Sequence, residues 1–234
     1  MTFTQLRSIV ATELKIDLTT HQEEQLSKFL FLLQEWNNYF NLTAITDTEK
    51  VIEKHFYDCL IPAKYVMLDH KSLIDIGTGA GFPGLVLAIA FPNAHITLLE
   101  PNNKKIQFLN TVISALSLKN VHVICGRAES QPQLREQFDY AIARAVKPLN
   151  ILIELCLPFV KVNGLFLAMK SQGVDDEIRS ATKACTVLKC SIKEKYVDYL
   201  PTDQDERVNL VIVKNDKTPL RYPRPYSQIS AKPL

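Results

Sequence analysis

Apolar residues in the first sixty positions recur with the period of a helix. Leu26, Phe29, Leu30, Leu33, Trp36 and Phe40 fall at i, i+3, i+4 and i+7 spacing and form one stripe. Thr19, Thr20 and Glu23 offer a capping box at its start. Asn37, Asn38 and Asn41 interrupt the polar face and close the helix, with Asn41 a helix-ending cap. Trp36 and Phe40 lie on the stripe and so read as core rather than as platforms for stacking bases. A second helical stretch, residues 49–68, follows the turn at Thr46-Asp47.

From residue 72 the period shortens. Short apolar runs at 72–76, 95–100, 121–125, 138–143 and 164–170 read as strands. Between them stand helical segments at 83–91, from Asn102 or Asn103 onward, at 148–160 and at 174–188. KEKYVDYL and RVNLVIVK read as a closing pair of strands joined by PTDQDE. Strands alternating with helices predict an α/β fold: a seven-stranded, mostly parallel sheet with helices on both faces and one antiparallel strand at the far end. The expected organisation is an N-terminal helical extension over 1–68, an α/β unit over 69–218, and a basic, proline-containing tail over 219–234 that runs extended.

Composition narrows the class. A chain of 234 residues with 47% hydrophobic content can bury a full core without disulfide staples. Five cysteines, an odd number with no C-x-x-C pair, argue for reduced thiols and against zinc or redox motifs. No apolar run reaches the roughly 18 residues of a membrane span. The N-terminus lacks the basic, apolar and cleavage regions of a secretory signal. A cytoplasmic monomer with no metal and no membrane association is the expectation. The net charge of +2 conceals a division. Residues 1–60 carry 5 Lys/Arg against 9 Asp/Glu, and residues 61–234 carry 22 against 16. The basic body suits a polyanionic partner.

The glycines carry the strongest signal. Four of the seven, Gly77, Gly79, Gly81 and Gly84, fall within eight residues, between the first strand and its helix. A strand there must turn sharply and offer bare backbone to a ligand, beyond the carboxyl ends of the strands. Two registers fit. Gly79, Gly81 and Gly84 satisfy the dinucleotide pattern G-x-G-x-x-G, which allows an NAD(P)-dependent oxidoreductase. Asp75, Gly77, Gly79 and Gly81 satisfy D-x-G-x-G-x-G, the pattern of S-adenosylmethionine (SAM) methyltransferases. Both cofactors offer a ribose to an acid at the end of the second strand, and Glu100 is that acid. Three features favour SAM. Asp75 would repel a pyrophosphate and suit the ammonium end of a methionine. The segment Gly126-Arg127-Ala128-Glu129 follows the third strand, where an adenine edge would lie. Phe82 fills the third glycine slot of the Gly77-based dinucleotide register.

Further candidates lie on the same rim. Lys147 and Lys170, at the ends of the fourth and fifth strands, are placed to meet phosphates. His55 and Asp58 stand i, i+3 on a helix, the spacing of a local hydrogen-bonded pair. There is no [DNS]-P-P-[YFW] motif and no cysteine preceded by proline, so neither exocyclic-amine methylation nor covalent catalysis is indicated.

The run LIDIGTGAGFPGLVLAIAFPNAHITLLEPNNKKIQFLN, with GRAE and FDYAIARA downstream, resembles the RsmG (GidB) family. WNNYFNLTAI, HFYDCL and RYPRP extend the likeness over most of the chain. AMKSQ departs from it, with Ser171 where the family often has glycine, and the end of the tail is less basic than the family's. The resemblance implies a Rossmann-like class I methyltransferase that uses SAM to make 7-methylguanosine in 16S ribosomal RNA, as free RNA or in the small ribosomal subunit. It implies that Gly77 and Phe82 line the cofactor pocket. Glu100 would bind the ribose, with Pro101 and Asn102 beside it, and Ala128 and Glu129 would flank the adenine. Arg144 would complete the cofactor or substrate side, and His55 gains weight as a substrate contact. Guanine N7 carries a free lone pair, so in-line transfer to it needs no general base and no catalytic acid–base residue is expected.

Overall fold

In the computed structural model, residues 1–144 and 147–234 are described. The chain opens with α1 (Phe3–Ile9), extended by a π-helical turn to Leu14, and α2 (Thr20–Phe40). A continuous helical run follows: α3 (Thr48–Val51), a π segment Ile52–Tyr57, α4 (Asp58–Leu60) and a 3-10 turn Ile61–Lys64. Then β1 (Ser72–Ile76), α5 (Gly84–Ala90), β2 (His95–Glu100), α6 (Asn103–Ala115), β3 (Val121–Cys125), β4 (Phe138–Arg144), α7 (Leu149–Cys156) and β5 (Val160–Lys170) alternate. The chain closes with α8 (Val174–Ser180), α9 (Thr182–Leu188), β6 (Cys190–Tyr199), β7 (Glu206–Lys214) and α10 (Tyr226–Ala231).

The seven strands form one sheet in the order β3-β2-β1-β4-β5-β7-β6. β1 to β5 pair in parallel, while β7 runs antiparallel to both β5 and β6. The single reversed strand is therefore one place in from the edge, not at the far end as the pattern suggested. Strand side chains alternate between two cores. Leu73, Ile96, Leu98, Ile142, Leu167 and Val211 face one core with α1, α2, the 48–64 run, α5 and α6. Ile74, Ile76, Leu99, Ala141, Ala143, Phe166 and Ala168 face the other, covered by α7, α9 and α10. The N-terminal helices thus complete one face of the sheet. Phe29 of α2 stacks on Phe56 at 5.5 Å and on Phe82, next to the glycine turn, at 5.3 Å.

Two local expectations change. The α2 capping box closes between Thr19 and Gln22, not Glu23, because the side chain three residues beyond the cap is the one that reaches back. Asn41 ends α2 in the left-handed region (φ 46°), as a cap should. The C-terminal tail is not extended. Residues 226–231 form α10, Ile229 is fully buried, and Arg224 holds the buried Glu154 of α7 through Nη2 (2.6 Å) and Nε (2.8 Å). Proline content suggested an open tail, but a buried carboxylate needs a partner, and Arg224 supplies it. Among the described residues no helix is long and apolar enough to cross a membrane, and no cluster of three or more His, Cys, Asp or Glu could hold a metal ion.

Candidate functional site

The glycine turn runs from β1 to α5. Gly77, Gly79 and Gly81 all take positive φ, at 72°, 63° and 92°, where a side chain would be strained. The Gly77 and Thr78 N–H groups donate to the Leu99 carbonyl, which stitches the turn to the end of β2. A Cβ at Gly77 would meet nothing within 4 Å, so its backbone faces open space. A Cβ at Gly84 would stand 2.2 Å from Leu98 Cδ2, so that glycine serves the close approach of α5 to the sheet. The turn is a bare backbone cradle at the carboxyl edge of the strands, and it fits the cofactor that the sequence implies.

Glu100 ends β2 beside this cradle and is 5% exposed. Its Oε2 accepts from Gly79 N–H and its Oε1 from Asn102 N–H, each at 3.0 Å. Each oxygen keeps a second lone pair. Pro101 and Asn102 are exposed at the rim, and Asn102 Oδ1 caps α6 through Lys104 N–H (2.9 Å). Gly126 N–H donates to the Glu100 carbonyl at 3.1 Å, which brings the loop of buried Ala128 and half-buried Glu129 to the same edge.

Asp75 departs from expectation. It is fully buried beneath the turn, with no surface open to solvent. Its Oδ2 accepts from the Thr78 hydroxyl (2.6 Å) and Gly84 N–H (2.8 Å), and Oδ1 has no partner among the described residues. Burial pushes its carboxyl up to about 6, against those two hydrogen bonds. The acid ties the glycine turn together from below.

A cavity of about 160 Å³ opens over the cradle, lined by Leu42, Thr43, His55, Gly77, Thr78, Gly79, Ala80, Phe82 and Arg144. His55 stacks on Phe82 with 4.6 Å between ring centroids, and the Arg144 guanidinium lies 5.0 Å from the same ring. His55 does not pair with Asp58. Its Nδ1–H donates to the Lys54 carbonyl (3.1 Å), so Nε2 accepts from the Thr43 hydroxyl (2.9 Å). Burial, then the Arg144 charge, hold its pKa down at about 3, which leaves the imidazole neutral.

Asp58 instead receives Arg144 Nη1 on Oδ2 (3.4 Å) and Arg207 Nε on Oδ1 (3.1 Å). Burial pushes this carboxyl upward while both guanidiniums oppose it. A second cavity of about 460 Å³ lies on the other side of Arg144, lined by Asp58, Met169, Lys170, Ser171, Glu177, Arg207 and Asn209. Lys170 is not free to meet a phosphate. Its buried ammonium is spent on Glu177 (2.7 Å) and the Lys147 carbonyl (2.8 Å). Lys147 is exposed, with its ammonium 4.9 Å from the Tyr226 ring. Ala145, the last residue of FDYAIARA, lies outside the described residues. No local pattern points to Thr43, Arg207 or Asn209, which reach the site because α2 ends above it and β7 inserts beside β5.

A doubly wound sheet with a bare glycine cradle at its carboxyl edge, an acid at the end of β2 and a second cavity over β4, β5 and β7 defines a class I SAM-dependent methyltransferase. Solved structures with this fold include M. jannaschii TYW2 (TM-score 0.55, 15% identity, covering 72% of this chain and 76% of that one). Another is the 16S rRNA (adenine(1408)-N(1))-methyltransferase of Catenulisporales acidiphilia (TM-score 0.51, 15% identity, 65% and 88%). The model of the GidB family, rRNA small subunit methyltransferase G, matches residues 22–207. Ribosomal RNA small subunit methyltransferase G of Alkaliphilus metalliredigens is 43% identical over 95% of both chains, and that of Leuconostoc citreum is 45% identical over 94% of both. The chain belongs to the rRNA small subunit methyltransferase G family, and the dinucleotide oxidoreductase alternative finds no support.

Proposed function

We propose that this protein transfers a methyl group from SAM to N7 of a guanosine in small-subunit ribosomal RNA. One observation carries the choice of acceptor: the ionisable groups described in the two cavities are committed to protein partners. His55 is neutral with both nitrogens bonded, Asp58 is held by two arginines, and Lys170 is paired with Glu177. A site without a free base suits a ring nitrogen that already presents its lone pair. Family membership supports the ribosomal substrate.

SAM, when bound, supplies an activated methyl electrophile. Gly77, Gly79 and Phe82 would cradle its methionine half and Glu100 its ribose hydroxyls. Pro101 and Asn102 would stand beside the ribose, with Ala128 and Glu129 at the adenine. Arg144 borders both cavities and would fix the relation between cofactor and acceptor. In this reading 1–68 is a helical extension, 69–218 the catalytic unit and 219–234 a basic segment docked on it. The protein acts as a cytoplasmic monomer without metal. His55 serves to hold Phe82, and Lys147 meets a phosphate. The test is incubation with methyl-labelled SAM and 16S RNA or small ribosomal subunits, followed by nucleoside analysis. Labelled 7-methylguanosine is expected. Its absence with every RNA form would refute the reading.

A further inference from the structure

The β7 wall of the larger cavity carries a side chain whose amide is unspent among the described residues. Asn209 of β7 is 6% exposed, yet it lines the 460 Å³ cavity and its amide has no hydrogen-bond partner among the described residues. Its amide atoms face the cavity instead of a protein partner, so they are open to a ligand with a matching polar edge. The charged groups around it are occupied, with Asp58 between Arg144 and Arg207 and Lys170 on Glu177. Ser171 is exposed at the mouth. Asn209 sits opposite Met169 in the β5–β7 pairing, which fixes its backbone between a ladder of hydrogen bonds on one side and β6 on the other. A primary carboxamide presents a donor and an acceptor side by side. Guanine presents the matching pair at O6 and N1–H, and that edge leaves N7 free.

We propose that Asn209 is the residue that reads the acceptor base. Guanine N1–H donates to Asn209 Oδ1, and Asn209 Nδ2–H donates to guanine O6, within the cavity walled by Arg144, Met169 and Arg207. This inference rests on the guanosine reading above, and the experiment separates the two. The acceptor nucleotide is first mapped with labelled SAM. RNA is then prepared with guanosine, inosine or 1-methylguanosine at that position and methylated by wild type, Asn209→Ala and Asn209→Ser. The wild type should accept inosine within about threefold, since inosine keeps O6 and N1–H. It should lose about tenfold or more in kcat/KM on 1-methylguanosine, which has no N1–H. Both variants should lose about tenfold on guanosine at unchanged SAM affinity, and no more than about twofold further on 1-methylguanosine. Variants that keep wild-type kcat/KM, or that suffer the full 1-methylguanosine loss, would overturn the assignment, as would a wild type that rejects inosine. A wild type that labels no guanosine at all would instead sink the functional reading.

Discussion

Arg224→Met removes the partner of a carboxylate with no solvent exposure. Glu154 accepts from Arg224 Nη2 at 2.6 Å, Nε at 2.8 Å and the Arg224 backbone N–H at 3.0 Å. Breaking one side of a buried ion pair costs about 3–5 kcal/mol, because the remaining charge is left without compensation. The backbone N–H survives the substitution, which places the expected loss near the lower end, about 3 kcal/mol. For a chain of this size each kcal/mol moves Tm by about 2–4 °C, so Tm should fall by about 6–12 °C at neutral pH. Urea titration and calorimetry would measure it. The double variant Glu154→Leu/Arg224→Met replaces the pair with apolar volume and should regain most of the loss. Amide exchange over residues 226–231 should quicken in the single variant, since α10 docks through the same segment. A single variant within about 1 kcal/mol of wild type would show that Glu154 finds solvent or another donor, and the reasoning from burial would fail.

Three further expectations follow from the site. Between about pH 3 and 6.5 the unfolded chain protonates His55 and the folded chain does not, so this residue makes stability rise with pH by about 1.4 kcal/mol per unit. Asp75 acts in the opposite sense, because its raised folded pKa of about 6 lets the folded state take up a proton first as pH falls. The difference between wild type and His55→Asn therefore isolates the imidazole. It should shrink as pH drops from 7 to 5, and a constant difference would contradict a neutral buried His55. Gly77→Ala should fold with a loss of about 1–2 kcal/mol from its positive φ and lose the rise in Tm that SAM gives wild type. Gly84→Ala should cost about 1–3 kcal/mol through its clash with Leu98 and keep that rise. An unchanged SAM response in Gly77→Ala would remove that glycine from the cradle. Finally, Lys147→Ala should flatten the salt dependence of RNA binding by about one unit of slope, while Lys170→Ala should leave the slope alone. The reverse result would mean that the Lys170–Glu177 pair opens on binding.

Much of the fold could be read from residue order, because period and turn chemistry are local. β1, β2 and β3 occupy 72–76, 95–100 and 121–125 as the apolar runs predicted, and Asn102 caps α6. The glycine turn and Glu100 were legible for the same reason, since each depends on a strand end and its neighbours. What escaped depends on contacts between distant segments. Asp58 and Arg207 are 149 positions apart and meet only because β7 enters the sheet next to β5. Asp75 looked like a ligand group because its sequence position is that of a pocket residue. Its burial under Gly84 is a property of packing. Lys170 looked like a phosphate ligand until α8 brought Glu177 within reach.

The placement of β7 also sets an order of assembly. β6 precedes β7 in the chain but pairs only with it, and β5 has no outer neighbour until β7 arrives. During synthesis, residues 160–199 therefore emerge with two strands whose edges cannot be satisfied, and the last-made strand closes both at once. The larger cavity is finished by that same step, since Arg207 and Asn209 arrive on β7. A ribosome-bound nascent chain cannot close this cavity before β7 has cleared the exit tunnel.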